Sequence, residues 1–371
     1  MRHPLQTPPL TSLAGLALWV FALTSPAGAR EIQSHFALVQ TTIEKFVVPR
    51  FEALDQAAAQ LPRAAEVVCK TGDGAAREDL QAHFRDTVQA WAAVEFLRFG
   101  PVAEGGRRER FSFWPDPRGV MARQLRQLIA SKDLKAIEGG ALAKQSAAVQ
   151  GLPALEVLLT DKDKPLGPGE ASAYPCALAK AIAGNLAGLA HEMQDGWTKP
   201  GGWKDKMMRP GSDNDTYKEP AEAAGEFVKA FLTGLQLLGD TQVKPRLEAE
   251  VKAGTDVPPK DKLVSGPFEK ANLAREYFMA GAAANEALYQ AMDLEGYLPE
   301  DKDWVKSWAG GAWKTIRDSN GAGGSAAGAK PADAPPMREL HSKIGGLRQL
   351  VAKEMASAAG LTLGFNELDG D

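Results

Sequence analysis

Only two cysteines, Cys69 and Cys176, occur in the 371-residue chain, so a disulfide-dense miniature scaffold is excluded. Histidine is almost as scarce: five in all, of which His35, His83, His191 and His341 lie beyond the N-terminal leader described below, and none stands three before a glutamate. His83 precedes Asp86 by three on a helical pattern, where a surface pair is the ordinary explanation. Also missing are a Gly-x-Ser-x-Gly elbow, a His-Glu-x-x-His helix and a phosphate-binding glycine loop. Residues 320–328 are glycine-rich but lack the Lys-Ser/Thr that would follow. No Lys/Arg run carries interleaved aromatics, and the net charge is -4, so a nucleic-acid partner is not expected. Alternating β patterns are nearly absent.

The one apolar run of note, Leu10 to Leu23, follows Arg2 and His3 and precedes Ala27-Gly28-Ala29. A basic end, an apolar core and a small-x-small site describe a secretory signal over residues 1–29, with the mature chain starting near Arg30. The run is short for a span, and no cysteine follows it to carry a lipid anchor. The expected location is the periplasm, with no membrane span in the mature chain. In an exported protein two cysteines make a disulfide candidate, with two free buried thiols as the alternative. Cys69–Cys176 is expected to link two helices.

Helical spacing dominates the rest. Residues 32–61 place Phe36, Val39, Ile43, Phe46 and Val47 on one face, with an interruption at Pro49. Thr71 or Asp73 can cap a second helix reaching about Phe99, with a stripe of Leu80, Phe84, Val88, Trp91, Glu95 and Arg98. Residues 107–118 form an aromatic- and arginine-rich loop with Arg110, Trp114 and Asp116, held by Pro115 and Pro117. A third helix is expected over 120–129, and another opening at Cys176 and ending near Asp195. Residues 198–216 shift to Gly, Pro and charge, the best boundary in the chain. Further helices are expected over 220–238, 243–251, 272–292 and 337–359, with a low-complexity excursion at 319–336. The expected fold is all-α, in two helical bundles of about four helices each, 30–198 and 217–371.

The stretch of most interest is Gly151-Leu152-Pro153-Ala154-Leu155-Glu156. A helical reading of 141–159 puts Leu142, Val149, Leu152, Glu156 and Leu159 on one face, and Pro153 must kink or restart it. Glu156 then sits in or beside a buried stripe, where an unpaired charge is costly. It is either half of a core ion pair with an arginine or a binding-site carboxylate facing the same cavity as Glu95. Glu95 and Arg98, three apart, are in turn either a self-satisfied pair or site residues.

This stretch resembles the Gly-x-His-x-x-Glu motif of the imelysin-like family (the M75 peptidase group), with Gly151 and Glu156 matching and Pro153 at the histidine position. Residues 91–101 (WAAVEFLRFGP) with Phe113-Trp114-Pro115-Asp116 resemble its first half, and residues 363–371 (LGFNELDGD) its C-terminal signature. The resemblance implies the two-bundle architecture and a role in bacterial iron uptake. It suggests a site drawn from Gly151, Glu156, Glu95, Arg98, Trp91, Arg110, Trp114, Asp116, Asn366 and Asp369, taking a small ligand or a metal ion such as iron or calcium. Glu156 would be the metal-facing member. Periplasmic or outer-membrane uptake proteins are the partners it implies. The competing expectation is a metallopeptidase, as the group's name suggests, and a periplasmic interaction module is the third. With Pro153 in place of an imidazole, a non-catalytic binding protein is the favoured expectation.

Overall fold

The computed structural model of the chain describes residues 34–253, 266–319 and 336–363, and every described element is helical or irregular, with no strand among the described residues. The fold is all-α. The expected signal over residues 1–29 and start near Arg30, nearly all of the 319–336 excursion, and residues 364–371 of the C-terminal stretch, Asn366 and Asp369 among them, lie outside the described residues. No described helix is long and apolar enough to cross a membrane.

The chain opens on a long helix in three parts: α1 (His35–Thr42), a π-helical turn at Ile43–Val47, and α2 (Val48–Ala58). Pro49 has no N–H to give, and the helix meets it by widening one turn earlier and restarting with the proline in its first turn. A separate helix, α3 (Leu61–Thr71), follows where the sequence pattern suggested only the end of the first. Gly72, at φ 66°, ends it, with its N–H on the carbonyl of Val68, as a left-handed cap requires. Asp73 then caps α4 (Gly74–Ala92), its side chain accepting from the N–H of Ala76 at 2.7 Å. The stripe Leu80, Phe84, Val88 and Trp91 is buried as expected, but α4 stops at Ala92. Glu95 and Arg98 therefore lie in a turn region rather than on a helical face.

Beyond it come α5 (Arg107–Phe111), a cis Trp114–Pro115 bond, and α6 (Val120–Ser131). The continuous helix expected from residue 141 does not form. Short 3-10 turns at Ala141–Lys144 and Ala147–Val149 precede a restart at α7 (Leu152–Thr160), with Pro153 in its first turn. The next helix, α8 (Glu170–Thr198), starts six residues before Cys176. Its Pro175 lies in the second turn, so only one backbone bond is forgone there.

Residues 198–216 contain a short helix, α9 (Trp203–Met208). Then α10 (Pro220–Gln236), capped by a reciprocal Glu219–Glu222 box, runs through a π-helical turn, Leu237–Val243, into α11 (Lys244–Ala253). Three more helices follow: α12 (Ala274–Met292), α13 (Asp303–Asp318) and α14 (Met337–Leu350). The last continues through the π-helical turn Val351–Met355 to α15 (Ala356–Ala358).

All described residues fall in one compact unit, Gln33–Asp371. Within it α2, α3, α4 and α8 pack on one another, while α10, α12, α13 and α14 form a second group. The opening helix serves both, with α2 against α4 and α8 and α1 against α10 and α12. The Cys69–Cys176 disulfide joins α3 to α8 with the two Cα atoms 5.7 Å apart, as expected from the sequence, and no free cysteine remains.

Candidate functional site

The turn after α4 is held by backbone bonds from Val94 and Glu95 to the carbonyl of Trp91, both at 3.0 Å. This aims the Glu95 side chain at α12, where the Tyr277 hydroxyl donates to its Oε1. Protein surrounds the carboxyl on all sides, while the residue as a whole keeps part of its surface accessible. Burial pushes the Glu95 carboxyl up to about 7, against the lowering pull of the Tyr277 hydroxyl, of Arg98 and Arg108, and of the nearby Trp91 indole. The Trp91 N–H lies close enough to favour the charged form but outside good hydrogen-bond geometry. Burial and Glu95 together hold the Tyr277 phenol well above its ordinary range. The walls are apolar: Trp91 stacks on Phe111 with centroids 4.6 Å apart, and Phe268 meets Tyr277 edge-on at 5.5 Å.

Phe268 leads to the second carboxylate. It belongs to the segment entering α12, where Phe268 and Asn272 both adopt left-handed backbone, at φ 67° and 57°. Glu156, only 6% exposed on α7, accepts the N–H of Ala271 at 2.9 Å and is also bonded by the N–H of Lys270. Its partners are backbone amides, not the arginine of a core ion pair. Burial raises its carboxyl, with the two amides and the Lys270 charge pulling the other way and Glu269 adding to the rise. Glu156 and Glu95 thus grip one segment at two points, its entry by the amides and its first helical turn by the phenol.

Gly151, the N-cap of α7 in extended backbone, packs on the end of α5. A Cβ there would collide with the carbonyl of Phe111 and lie 2.7 Å from that of Arg110. The glycine permits a close backbone approach that places the Trp91–Phe111 stack over the start of the motif helix. Gly151→Ala should therefore cost about 2–3 kcal/mol, since both obstacles are main chain and cannot swing away. A urea titration measures it; an unchanged midpoint would show that α5 can move aside.

The other expected site residues are placed as follows. Arg110 donates to Gln150 Oε1 at 3.0 Å and to Asn185 Oδ1 at 3.4 Å, tying α5 to the residue before the motif and to α8. Asp116 caps α6 with both oxygens, accepting from Val120 and Met121 at 2.8 Å each. Trp114 is half-buried in the extended stretch before that cap. Arg98 and Trp91 lie beside the Glu95 carboxyl. Among the described residues, no three His, Cys, Asp or Glu side chains are grouped to hold a metal ion. The oxygens of Asp116 and one of Glu156 are already committed to amides, and two guanidiniums oppose a bare cation beside Glu95. The described donors thus do not fit a resident metal.

Sequence reasoning missed Tyr277, Phe268 and Gln150. A tyrosine on an apolar helix face reads as core, and nothing in its spacing announces a carboxylate partner 182 residues away. Gln150 is 1% exposed and bonds Gln145 O at 2.6 Å besides holding Arg110, but a single glutamine beside a glycine carries no pattern.

The family model for imelysin (peptidase M75) matches residues 47–257. Among solved structures, an imelysin-like protein from Psychrobacter arcticum 273-4 aligns at a TM-score of 0.67 and 19% identity, covering 91% of this chain and 100% of that one. A putative iron-regulated protein A precursor from Parabacteroides distasonis ATCC 8503 aligns at 0.63 and 13%, covering 90% and 96%. No curated protein matches. With more than half its length matched by that model, and the same all-helical fold over nine-tenths of it, the chain belongs to the imelysin family.

Proposed function

We propose that the chain is an exported, non-catalytic binding protein of bacterial iron or metal uptake, and that its ligand enters the recess between the end of α4 and α12. The observation that carries this is Glu95, a partly accessible residue whose enclosed carboxyl is bonded to Tyr277 and flanked by Arg98 and Arg108. A few convergent polar groups within aromatic walls describe a binding pocket, and the mixed charges suit a polar or anionic ligand better than a bare cation. The link to iron rests on the kind of protein the fold neighbour is named for, an iron-regulated one. Export rests on the basic-apolar-small pattern of residues 1–29, and the disulfide supports an oxidising destination. Uptake proteins of the periplasm or outer membrane are the partners this reading requires. The peptidase reading needs an ion held by about three protein ligands with an open position. What weighs against it is the engagement of Asp116 and Glu156 with backbone amides.

Native mass spectrometry and metal analysis of protein isolated from its producing cells test the proposal. A bound small molecule or iron chelate, lost in Glu95→Gln, is the expected result; metal-dependent cleavage of an unstructured peptide would overturn it.

The recess also predicts a pH dependence. The folded-state carboxyl of Glu95 titrates near 7, above its ordinary 4.5. Between those values the native state keeps a proton that the unfolded chain has released. The stabilisation is complete below 4.5 and is lost as pH rises through 7, a loss of up to about 3 kcal/mol at 1.36 kcal/mol per unit. Glu156, also raised, adds in the same direction. Glu95→Gln should flatten the stability curve between pH 5 and 8 relative to the parent. Melting curves across that range decide it, and identical slopes in the two proteins would refute the assignment.

A further inference from the structure

We propose that a second cavity, outside the Glu95 recess, binds a small organic anion: an oxyanion headgroup on a compact apolar body. The cavity lies between α4, the C-terminal end of α7 and the Lys270–Leu273 turn, with a volume of about 370 Å³. That is at the small end of the range for ligand pockets, about 300–1,000 Å³.

Four cationic side chains line it, Arg77, Arg85, Lys162 and Lys270, against one carboxylate, Asp161. The oxygen Oδ1 of Asp161 is occupied in its own turn, accepting from the N–H groups of Asp163 and Lys164 at 3.0 Å each. Lys270 faces the buried Glu156 carboxyl across the turn, but among the described residues Arg85 and Lys162 have no carboxylate partner. Arg77 is set in place: its Nε and Nη2 donate to the carbonyl of Gly72 at 3.3 and 2.9 Å. A guanidinium fixed in this way loses little freedom on meeting an oxyanion. Like charges collected around one small cavity repel, and an anion removes that cost.

The apolar component comes from Phe84 and Leu273, both buried, with Leu159 beside them. Phe84 is held edge-on by Phe268 at 5.9 Å, so the floor is rigid. The turn carrying Lys270 is the one that Glu156 anchors, which makes Glu156 a positioning residue for this cavity.

Isothermal titration of the full mature chain tests the site with 1-naphthyl phosphate, 1-naphthoate and 1-naphthol as separate probes. At least one of the two anions should bind at one per chain, and which of them binds tells phosphate from carboxylate. Affinity should fall at least tenfold in the double variant Arg85→Gln, Lys162→Gln, and stay unchanged in Lys199→Gln. Arg85 and Lys162 are exposed, so the double variant should melt like the parent, which the same samples verify. Absence of binding by both anions, equal binding of the neutral 1-naphthol, or full affinity in the double variant would each overturn the proposal.

Discussion

Replacing Cys69 and Cys176 together by alanine should destabilise the chain by roughly 4–5 kcal/mol. The disulfide closes a loop of sequence separation 107, and the chain entropy that the unfolded state regains when such a loop is opened is of that size. The bond also joins α3 and α8, two helices with an extensive mutual interface, so its loss frees a contact the core relies on. At about 2.1 cal/mol/K per residue the melting temperature should drop roughly 6 °C. Reducing the parent protein with dithiothreitol should reproduce the drop without any substitution. If both treatments leave the melting temperature in place, the helices hold one another unaided and the cross-link adds nothing.

Glu156→Ala should cost about 3 kcal/mol, by a different route. The alanine leaves the half-buried N–H of Ala271 with no protein acceptor, at about 1–3 kcal/mol, while the amide of the exposed Lys270 can turn to water. It also releases a segment with two non-glycine residues in left-handed backbone, which persists only where its surroundings hold it. Hydrogen exchange over residues 266–277 should accelerate together with the loss of stability. Glu156→Gln should fall between, since its amide keeps one acceptor but turns a donor towards a donor. An alanine variant with parental melting and parental exchange would remove Glu156 from its place as the anchor of that segment.

Much of the fold can be read from the chain because its signals are local. Asp73 before a helical stripe, Pro220 between two glutamates and Pro153 after a glycine each mark a helix start by what their own backbone can or cannot donate, and helices begin there. The halt of α4 at Ala92 has no such marker: between Ala92 and Gly100 there is neither glycine nor proline, so periodicity carries the eye past Glu95. Asp303–Asp318 gives no helical expectation because Gly310-Gly311 blurs its stripe, although Val305, Ala309, Ala312 and Ile316 are buried on one face. The candidate site was legible as residues but not as partners. Glu156 and Glu95 stood out as charges in apolar stretches, while the amides of Lys270 and Ala271 and the phenol of Tyr277 belong to a segment more than 100 residues away. Backbone amides leave no trace in composition. Arg110 and Asp116 looked like site residues for the same reason any polar group in an aromatic loop does; their partners here are Gln150, Asn185 and the start of α6.

The opening helix has a consequence for how the chain comes together in time. Made first, its α1 half finds its partners in α10 and α12, and His35 bonds the carbonyl of Ala359 at a sequence separation of 324. Leu38, Val39 and Ile43, all fully covered in the finished protein, must wait uncovered until most of the chain has been synthesised. Contacts of such range are slow to form, and an apolar helical face left waiting is what aggregation and chaperones compete for. The α2 half waits less, since α3 and α4 follow it directly. Assembly should therefore begin at the α2 end and reach the first residues of the helix last.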